Sequence, residues 1–371
     1  MALFPEVKLM TKKLRVTSIV GSPYDRGFQH GEQWKDAIRH FAKGRVELVA
    51  GGQWSGGFRK STADIIALAE QTMPHHEAYA PDLVEEMRGM AAATELSMGE
   101  LIIVSGFTDF IDTVYGVSNR ETMLEPALAI DDCTAFIVPD NAANGSGFFG
   151  QTWDMHDAAT EHLILLDIQP DDGPNAMALT AAGCLGQIGM NEHGISVGIN
   201  NLLGADGGIG VTWPFVVRKV LQQDNIDDAL KCITDVELAG AHNYLLFDKT
   251  GRGYNIEAMS THYHIVELEE TPLTHTNHCL VPETIALAQE RHPDSQVGSE
   301  NRLIQADETL AQRPITIEML QQMTALAPVC TTSKPPFNVE TCGAAIMRPK
   351  TGEFWAVWGL PSENEYERFT V

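Results

Sequence analysis

The amino-acid sequence predicts an α+β protein in which antiparallel sheets pack on each other and helices cover the outside. Two observations carry this. Up to about residue 130 apolar side chains recur at helical spacing, whereas after Cys133 they come in short runs broken by turn residues, the pattern of strands joined in hairpins. A length of 371 residues suits one large domain or two modest ones with a full-sized core.

Ser22-Pro23 supplies a cap and a first-turn proline for a helix carrying Tyr24, Phe28, Trp34, Ile38 and Phe41, with Gly27 and Gly31 one turn apart where another backbone can approach. Residues 61–94 read as two more helices. Ser97-Met98-Gly99-Glu100 is a capping box ahead of Ile103, Phe107, Phe110, Ile111 and Val114. The segment YGVSNRETMLEPALAID, 115–131, loses periodicity and reads as an exposed connecting loop. Strands follow in TAFIVP, GFFGQTW, HLILLDIQ, AMALTAA, LGQIGMN and GISVGINN, then helices at 213–223 and 226–234. Further strands are expected at 243–247, 253–258 and 262–268, and two helices at roughly 300–326. The last strands, CGAAIMRP and GEFWAVWG, are joined by Lys350-Thr351-Gly352.

With 50 acidic against 25 basic side chains the formal charge is −25, which repels nucleic acid and anionic membrane. No stretch approaches the ~20 apolar residues of a membrane span, and the opening MALFPEVKLMTKKLRV has no secretory h-region, so the expected location is the cytoplasm. The six cysteines are scattered without a C-x-x-C, which indicates neither a disulfide framework nor a cysteine zinc site.

Cys133, in AIDDCTAFIVPD, lies between the connecting loop and a strand. Packing accounts for a free cysteine there. The position also allows the preceding peptide bond to be cut without disturbing a core element. An N-to-S acyl shift followed by hydrolysis would then leave Cys133 as a new N-terminus, whose α-amine, ordinarily titrating at ~7.7 to 8, can act as base for its own thiol of ~8.5. Gly150-Gln151-Thr152-Trp153-Asp154 ends the next strand, so a hairpin can bring Asp154 beside Cys133 to hold the new ammonium; a strand-end aspartate also serves simply in a turn. Gly183, Gly186 and Gly189 are spaced by three, which is not a dinucleotide fingerprint and marks close backbone approach. In His275-Thr276-Asn277-His278-Cys279 an amide between two imidazoles can donate to an oxyanion.

This set of residues resembles the acyl-coenzyme A:6-aminopenicillanic acid (isopenicillin N) acyltransferase family, the C45 autoproteolytic peptidases within the N-terminal nucleophile hydrolases. The matching pieces run in order nearly end to end: GSPYDRGFQHGEQ at 21–33, CTAF at 133–136, GQTWD at 150–154, GCLGQIGMNEHGISVGINNL at 183–202, TNH at 276–278 and SENR at 299–302. The resemblance implies a four-layer αββα sandwich of two antiparallel sheets covered by helices, self-cleavage between Asp132 and Cys133, Asp154 near the nucleophile's amine and Asn277 in the oxyanion hole. Residues 1–132 would become a helical N-terminal fragment and 133–371 the nucleophile-bearing core, the two staying associated as one structural domain. Trp153, His156 and Arg302 are the candidates for substrate contact.

This chain departs from the family at two places. The residue before the nucleophile is usually glycine and here is Asp132, whose charged, branched side chain constrains the turn from which the thiol attacks or else assists a proton transfer. At VCTTSKPPF, 329–337, Thr331 replaces an arginine common in the family, which leaves Lys334 or Arg302 as substitute anion binders. Transfer from coenzyme A needs a basic patch for its phosphates, and no lysine or arginine cluster lies near the motifs. The expected activity is therefore cleavage of a linear amide of a small N-acyl molecule through a thioester on Cys133, with water as acceptor and no cofactor. Acyl-coenzyme A-dependent N-acyl transfer is the alternative. Two rivals are a metal hydrolase, using His262 and His264 on one strand face with His275, His278 and Cys279, and an unprocessed, non-catalytic binding protein.

Overall fold

A computed structural model describes residues 13–52, 59–118, 133–335 and 338–371. The first strand, β1 (Val16–Gly21), leads into helix α1 (Pro23–Gly51). Ser22 caps α1 by accepting from Asp25 N. The sequence pattern hides β1 because its alternation is mixed: Val16 and Val20 are exposed, while Thr17 is buried on the same face as Ile19 and accepts a bond from Trp34 Nε1. Residues 62–94 form three helices rather than two, α2 (Thr62–Glu70), α3 (Met73–Tyr79) and α4 (Pro81–Thr94), because Pro74 and Pro81 each fit the first turn of a new helix. The capping box at Ser97 and Glu100 is present, but the helix it opens splits at Gly106 into α5 (Met98–Ser105) and α6 (Phe107–Val117). Tyr115–Val117 are thus helical, not loop. The rest of that expected loop from residue 119 on, and Asp132, lie outside the described residues.

The strands after Cys133 are β2 (Ala135–Val138), β3 (Phe148–His156), β4 (Leu163–Pro170), β5 (Ala176–Ala181), β6 (Ile188–Asn191) and β7 (Ile195–Asn201). Helices α7 (Trp213–Val220) and α8 (Ile226–Thr234) precede β8 (His242–Asp248), β9 (Gly253–Ala258), β10 (Tyr263–Glu267) and β11 (Leu273–His275). Then come α9 (Pro282–Ile285), α10 (Pro293–Leu310), α11 (Ile317–Ala325), β12 (Val339–Arg348), β13 (Glu353–Trp358) and β14 (Glu367–Thr370). The eight-stranded sheet runs β1-β4-β5-β6-β7-β8-β9-β10 and the six-stranded sheet β11-β2-β3-β12-β13-β14. All pairs are antiparallel except β1 with β4. The N-terminal segment is therefore not wholly helical, since it contributes the edge strand β1.

Period-two alternation builds the four-layer αββα sandwich. In the six-stranded sheet Ala135, Ile137, Phe149, Trp153, Ala345 and Met347 join the large core, whereas Phe136, Val138, Phe148 and Ile346 pack with Leu310, Leu320 and Met323 of α10 and α11. Helices α1, α7 and α8 pack on the eight-stranded sheet. Gln151 staples the two sheets: its amide nitrogen donates to Ile199 O and its oxygen accepts from Ile199 N at 2.9 Å. Among the described residues, no helix is long and apolar enough to cross a membrane.

The GSPYDRG motif has its account in the helical layer. A Cβ on Gly27 would lie 1.6 Å from Glu86 O, and one on Gly89 would lie 2.0 Å from Tyr24 O, so α1 and α4 pack at backbone contact. Arg26 and Arg218 then flank Glu86 at 3.0 and 2.7 Å in full burial. Burial pushes the Glu86 carboxyl up, but the two guanidiniums outweigh it and hold it below the ordinary carboxylate value.

Candidate active site

Cys133 is fully buried two residues ahead of β2. In the β2–β3 hairpin Ala135 pairs with Gln151, and bonds from Thr152 N to Thr134 O (2.9 Å) and from Thr134 N to Thr152 Oγ1 (3.1 Å) extend the pairing. Carried on, that register sets Cys133 opposite Trp153, with Asp154 at the next position of β3. Both backbone polar groups of Cys133 are held by asparagines: its N–H donates to Asn277 Oδ1 at 2.6 Å, and its carbonyl accepts from Asn200 Nδ2 at 3.2 Å.

Asn277 follows β11 and is fully buried. Its Oδ1 also accepts from Arg302 Nη2 at 2.9 Å, and its Nδ2 donates to Asn201 O at 3.3 Å. Two donors at the oxygen and one acceptor at the nitrogen fix which end of the amide is which. The acceptor end therefore meets Cys133, whereas the sequence suggests only a donor role. Ser299 and Arg302, one turn apart on α10, grip this loop together. Ser299 Oγ accepts from Asn277 N at 2.9 Å and lies 2.8 Å from His278 Nδ1. The TNH and SENR motifs are thus two halves of one hydrogen-bonded unit. Burial and the neighbouring His275 push the His278 imidazole down to about 4.

Beneath it, His275 pairs with Ala135 in register and places Nε2 2.8 Å from Glu257 Oε1, which ties β11 to β9 of the other sheet. Burial raises the Glu257 carboxyl, but His275, Thr284 and Leu280 N together hold it below its ordinary value. His275 Nδ1 lies 2.8 Å from Thr276 O, so both ring nitrogens are engaged within the protein. Among the described residues no group of three or more His, Cys, Asp or Glu is arranged to hold a metal ion, and the set His262, His264, His275, His278 and Cys279 is not brought together.

Asp154 is fully buried and pairs across the sheet with Thr341, whose hydroxyl donates to Asp154 Oδ1 at 2.7 Å and accepts from Thr331 N at 2.9 Å. Sequence reasoning missed Thr341, which carries no motif, and Asn200, which sits unremarked in the INN of the glycine stretch. None of the six cysteines forms a disulfide, and all are buried. Burial pushes the Cys184 thiol up, Cys232 to about 11 and Cys279 to about 12, as for packed thiols.

Two cavities flank this arrangement. One, of about 360 Å³, is lined by Arg302, Thr331 and Lys334, so the candidate anion binders share it. The other, of about 310 Å³, is lined by His156, Met155 and Arg45, and Arg45 and Met155 also line a small inner cavity together with Trp153. The fold thus brings Arg302, a candidate from the SENR motif, onto the Asn277 amide.

Residues 141–363 match the model of the family described as acyl-coenzyme A:6-aminopenicillanic acid acyl-transferase. The chain is 26% identical over 267 residues to the 40 kDa form of acyl-coenzyme A:6-aminopenicillanic-acid-acyltransferase of Emericella nidulans, covering 70% of this chain and 68% of that one. It is 24% identical over 256 residues to an uncharacterized protein of Archaeoglobus fulgidus, covering 62% of this chain and 41% of that one. Among solved structures, the Caenorhabditis elegans ortholog of N-acylethanolamine-hydrolyzing acid amidase superposes with a TM-score of 0.43 at 16% identity, over 59% of this chain and 93% of that one. A mutant of conjugated bile acid hydrolase from Clostridium perfringens gives 0.43 at 11% identity, over 64% and 97%. With the family model covering more than half of its residues, including the asparagine loop and α10, the chain belongs to the acyl-coenzyme A:6-aminopenicillanic acid acyl-transferase family.

Proposed function

We propose that the protein is an autoproteolytic cysteine hydrolase or acyltransferase that acts on a linear carbon–nitrogen amide of a small N-acyl molecule, with Cys133 as nucleophile. One observation carries the reading: the Cys133 backbone is gripped at both ends, by Asn277 at 2.6 Å and by Asn200 at 3.2 Å, a fixation that a packing thiol does not need.

In maturation Cys133 Sγ attacks the Asp132 carbonyl carbon, the bond to Cys133 N breaks, and that nitrogen takes up the thiol's proton. Water then hydrolyses the thioester, freeing the Asp132 carboxylate and the Cys133 thiol. In turnover the new α-amine accepts the thiol's proton, the sulfur attacks the substrate carbonyl, and the departing amine takes the proton away. Water hydrolyses the acyl-thioester; family membership favours a second acceptor, an amine, in place of water. Asn277 Oδ1 holds the Cys133 nitrogen in place, and the second N–H of its Nδ2 serves the oxyanion. Asp154, steadied by Thr341, holds the ammonium form of the amine. Arg302 orients Asn277 and borders the cavity of about 360 Å³. The 1–132 and 133–371 fragments stay together through buried contacts such as Glu86 with Arg218.

The test is intact mass of the purified protein, followed by assay of the cleaved form on a panel of N-acyl amines and N-acyl amino acids, with and without an added amine acceptor. A chain that stays whole and releases no acid from any amide removes the proposal.

A further inference from the structure

We propose that His275 is held as an imidazolium paired with the Glu257 carboxylate, and that this buried charge positions Asn277 for the reaction assigned to Cys133, a role that rests on the nucleophile reading. Hydrogen-bond chemistry fixes the charge. His275 is fully buried, with Nδ1 2.8 Å from Thr276 O and Nε2 2.8 Å from Glu257 Oε1. A carbonyl oxygen only accepts, and so does an ionised carboxylate, so each ring nitrogen has to bring its own N–H, whereas a neutral ring has one. The shared proton sits on the imidazole because a carboxyl is the more acidic group, ordinarily ~4.3 against ~6.5. Glu257 also accepts from Leu280 N at 2.7 Å through Oε1 and from the Thr284 hydroxyl through Oε2, and donors around both oxygens favour the ionised form.

Placement gives the charge its role. The carbonyl that His275 Nδ1 bonds belongs to the peptide group between Thr276 and Asn277, whose N–H donates to Ser299 Oγ at 2.9 Å. One peptide plane is thus held on one side by a charged donor tied through Glu257 to β9, and on the other side by α10. A bond from an ionised donor is shorter and stronger than a neutral one, so this plane is fixed where the Asn277 side chain departs to accept from Cys133 N at 2.6 Å. His275 also pairs in register with Ala135 of β2, two residues past Cys133. It is a positioning residue, acting through Asn277. The charged groups on the elements packed around it are Glu257 on β9, Glu300 and Arg302 on α10, and Arg291 just before that helix. After burial, His275 is the largest influence pushing the adjacent His278 down to about 4, ahead of Arg291 and Arg302 and against the pull of Glu300.

Ring-nitrogen NMR of histidine-labelled, full-length Cys133→Ala protein reads the charge apart from cleavage and turnover. At pH 7.5 both nitrogens of one ring should carry protons, and that signal should be missing once His275→Gln is added. Adding Glu257→Gln instead keeps the shape and removes the counter-charge, so the ring should give up one proton near neutrality. In the otherwise wild-type enzyme Glu257→Gln should lower kcat at least ~10-fold at pH 7.5, the loss of a charge-assisted bond, with KM changed by less than about two-fold. The ratio of variant to wild-type kcat should recover as the pH falls through the range in which NMR shows the second proton returning, a response that a purely structural contact does not give. Thermal melting establishes that each variant is folded. Should Glu257→Gln not fold, His275→Gln, with one donor end for two acceptors, supplies the kcat and KM measurement. A His275 ring with one bare nitrogen at pH 7.5, a flat ratio in Glu257→Gln, or full kcat in either folded variant overturns the proposal. Uncut wild-type protein without turnover, with the ring signal as expected, marks failure of the nucleophile reading instead, and the positioning role falls with it.

Discussion

The side-chain oxygen of Asn277 accepts a 2.6 Å hydrogen bond from the backbone nitrogen of Cys133, 144 positions earlier in the chain. That nitrogen is the atom that self-cleavage would turn into a free amine. A short bond here would set its position ahead of the proposed cut, and the same acceptor would be in place to hold the amine afterwards.

The first prediction concerns the cut itself. Denaturing electrophoresis should resolve fragments of 1–132 and 133–371, and Cys133→Ala should run as one chain. Asp132→Gly should cleave faster, since glycine reaches the strained geometry more readily. A slower time course for the glycine form would show that the Asp132 carboxylate assists the proton transfer.

Asn277→Ala should leave the protein folded and lower kcat by about 10² to 10³, the typical effect of losing one oxyanion donor, with a smaller change in KM. It should also slow self-cleavage, because the bond to the Cys133 nitrogen is lost. Steady-state kinetics on matured protein and a cleavage time course separate the two effects. Unchanged kcat takes Asn277 out of the site.

Thr341→Val keeps the shape of the side chain and removes the hydroxyl that bonds Asp154 and accepts from Thr331 N. With Asp154 buried, that change should cost about 1 to 3 kcal/mol in kcat/KM if Asp154 steadies the amine. Thr341→Ser should restore activity. Loss of stability with kinetics intact would mark the bond as purely structural.

Glu86→Ala leaves Arg26 and Arg218 buried and facing each other, and breaking a buried ion pair from one side costs about 3 to 5 kcal/mol. Since Arg26 and Glu86 precede Cys133 and Arg218 follows it, the cleaved variant should also release its 1–132 fragment at lower denaturant. Urea unfolding followed by gel filtration measures both. A loss below about 1 kcal/mol contradicts the role given to this trio.

Stability should fall as the pH drops from about 6.5 to about 4. Burial pushes His30 and His76 down to about 4, and each accepts a backbone N–H through a bare ring nitrogen, from Gly183 at 3.1 Å and from Thr212 at 3.0 Å. In the unfolded chain both take up a proton near pH ~6.5, so within that window the unfolded state binds protons that the folded state refuses, and stability is fully present only above it. Thermal melts from pH 7.5 to 4.5 should show this slope, and His30→Gln should flatten it. An equal slope in the variant assigns the effect to other groups.

What near neighbours along the chain decide is legible in the residues themselves. Helix starts at Ser22 and Ser97 can be read because a cap and its partner stand three residues apart, and the strands after Cys133 can be read because alternate residues must face two different layers. The residue types of the site, Cys133, Asp154, Asn277 and Arg302, also stand in motifs whose order a family shares. The sequence did not show β1, whose buried face is led by Thr17, nor the break at Gly106, where a Cβ would lie 2.7 Å from Thr212. Folding in three dimensions settles which end of the Asn277 amide meets Cys133, that Asn200 bonds the Cys133 carbonyl and that Thr341 bonds Asp154. The difference is one of range and direction: capping and periodicity are settled within a few residues, whereas a hydrogen bond between groups far apart in the chain depends on how two sheets and their helices come to rest on one another.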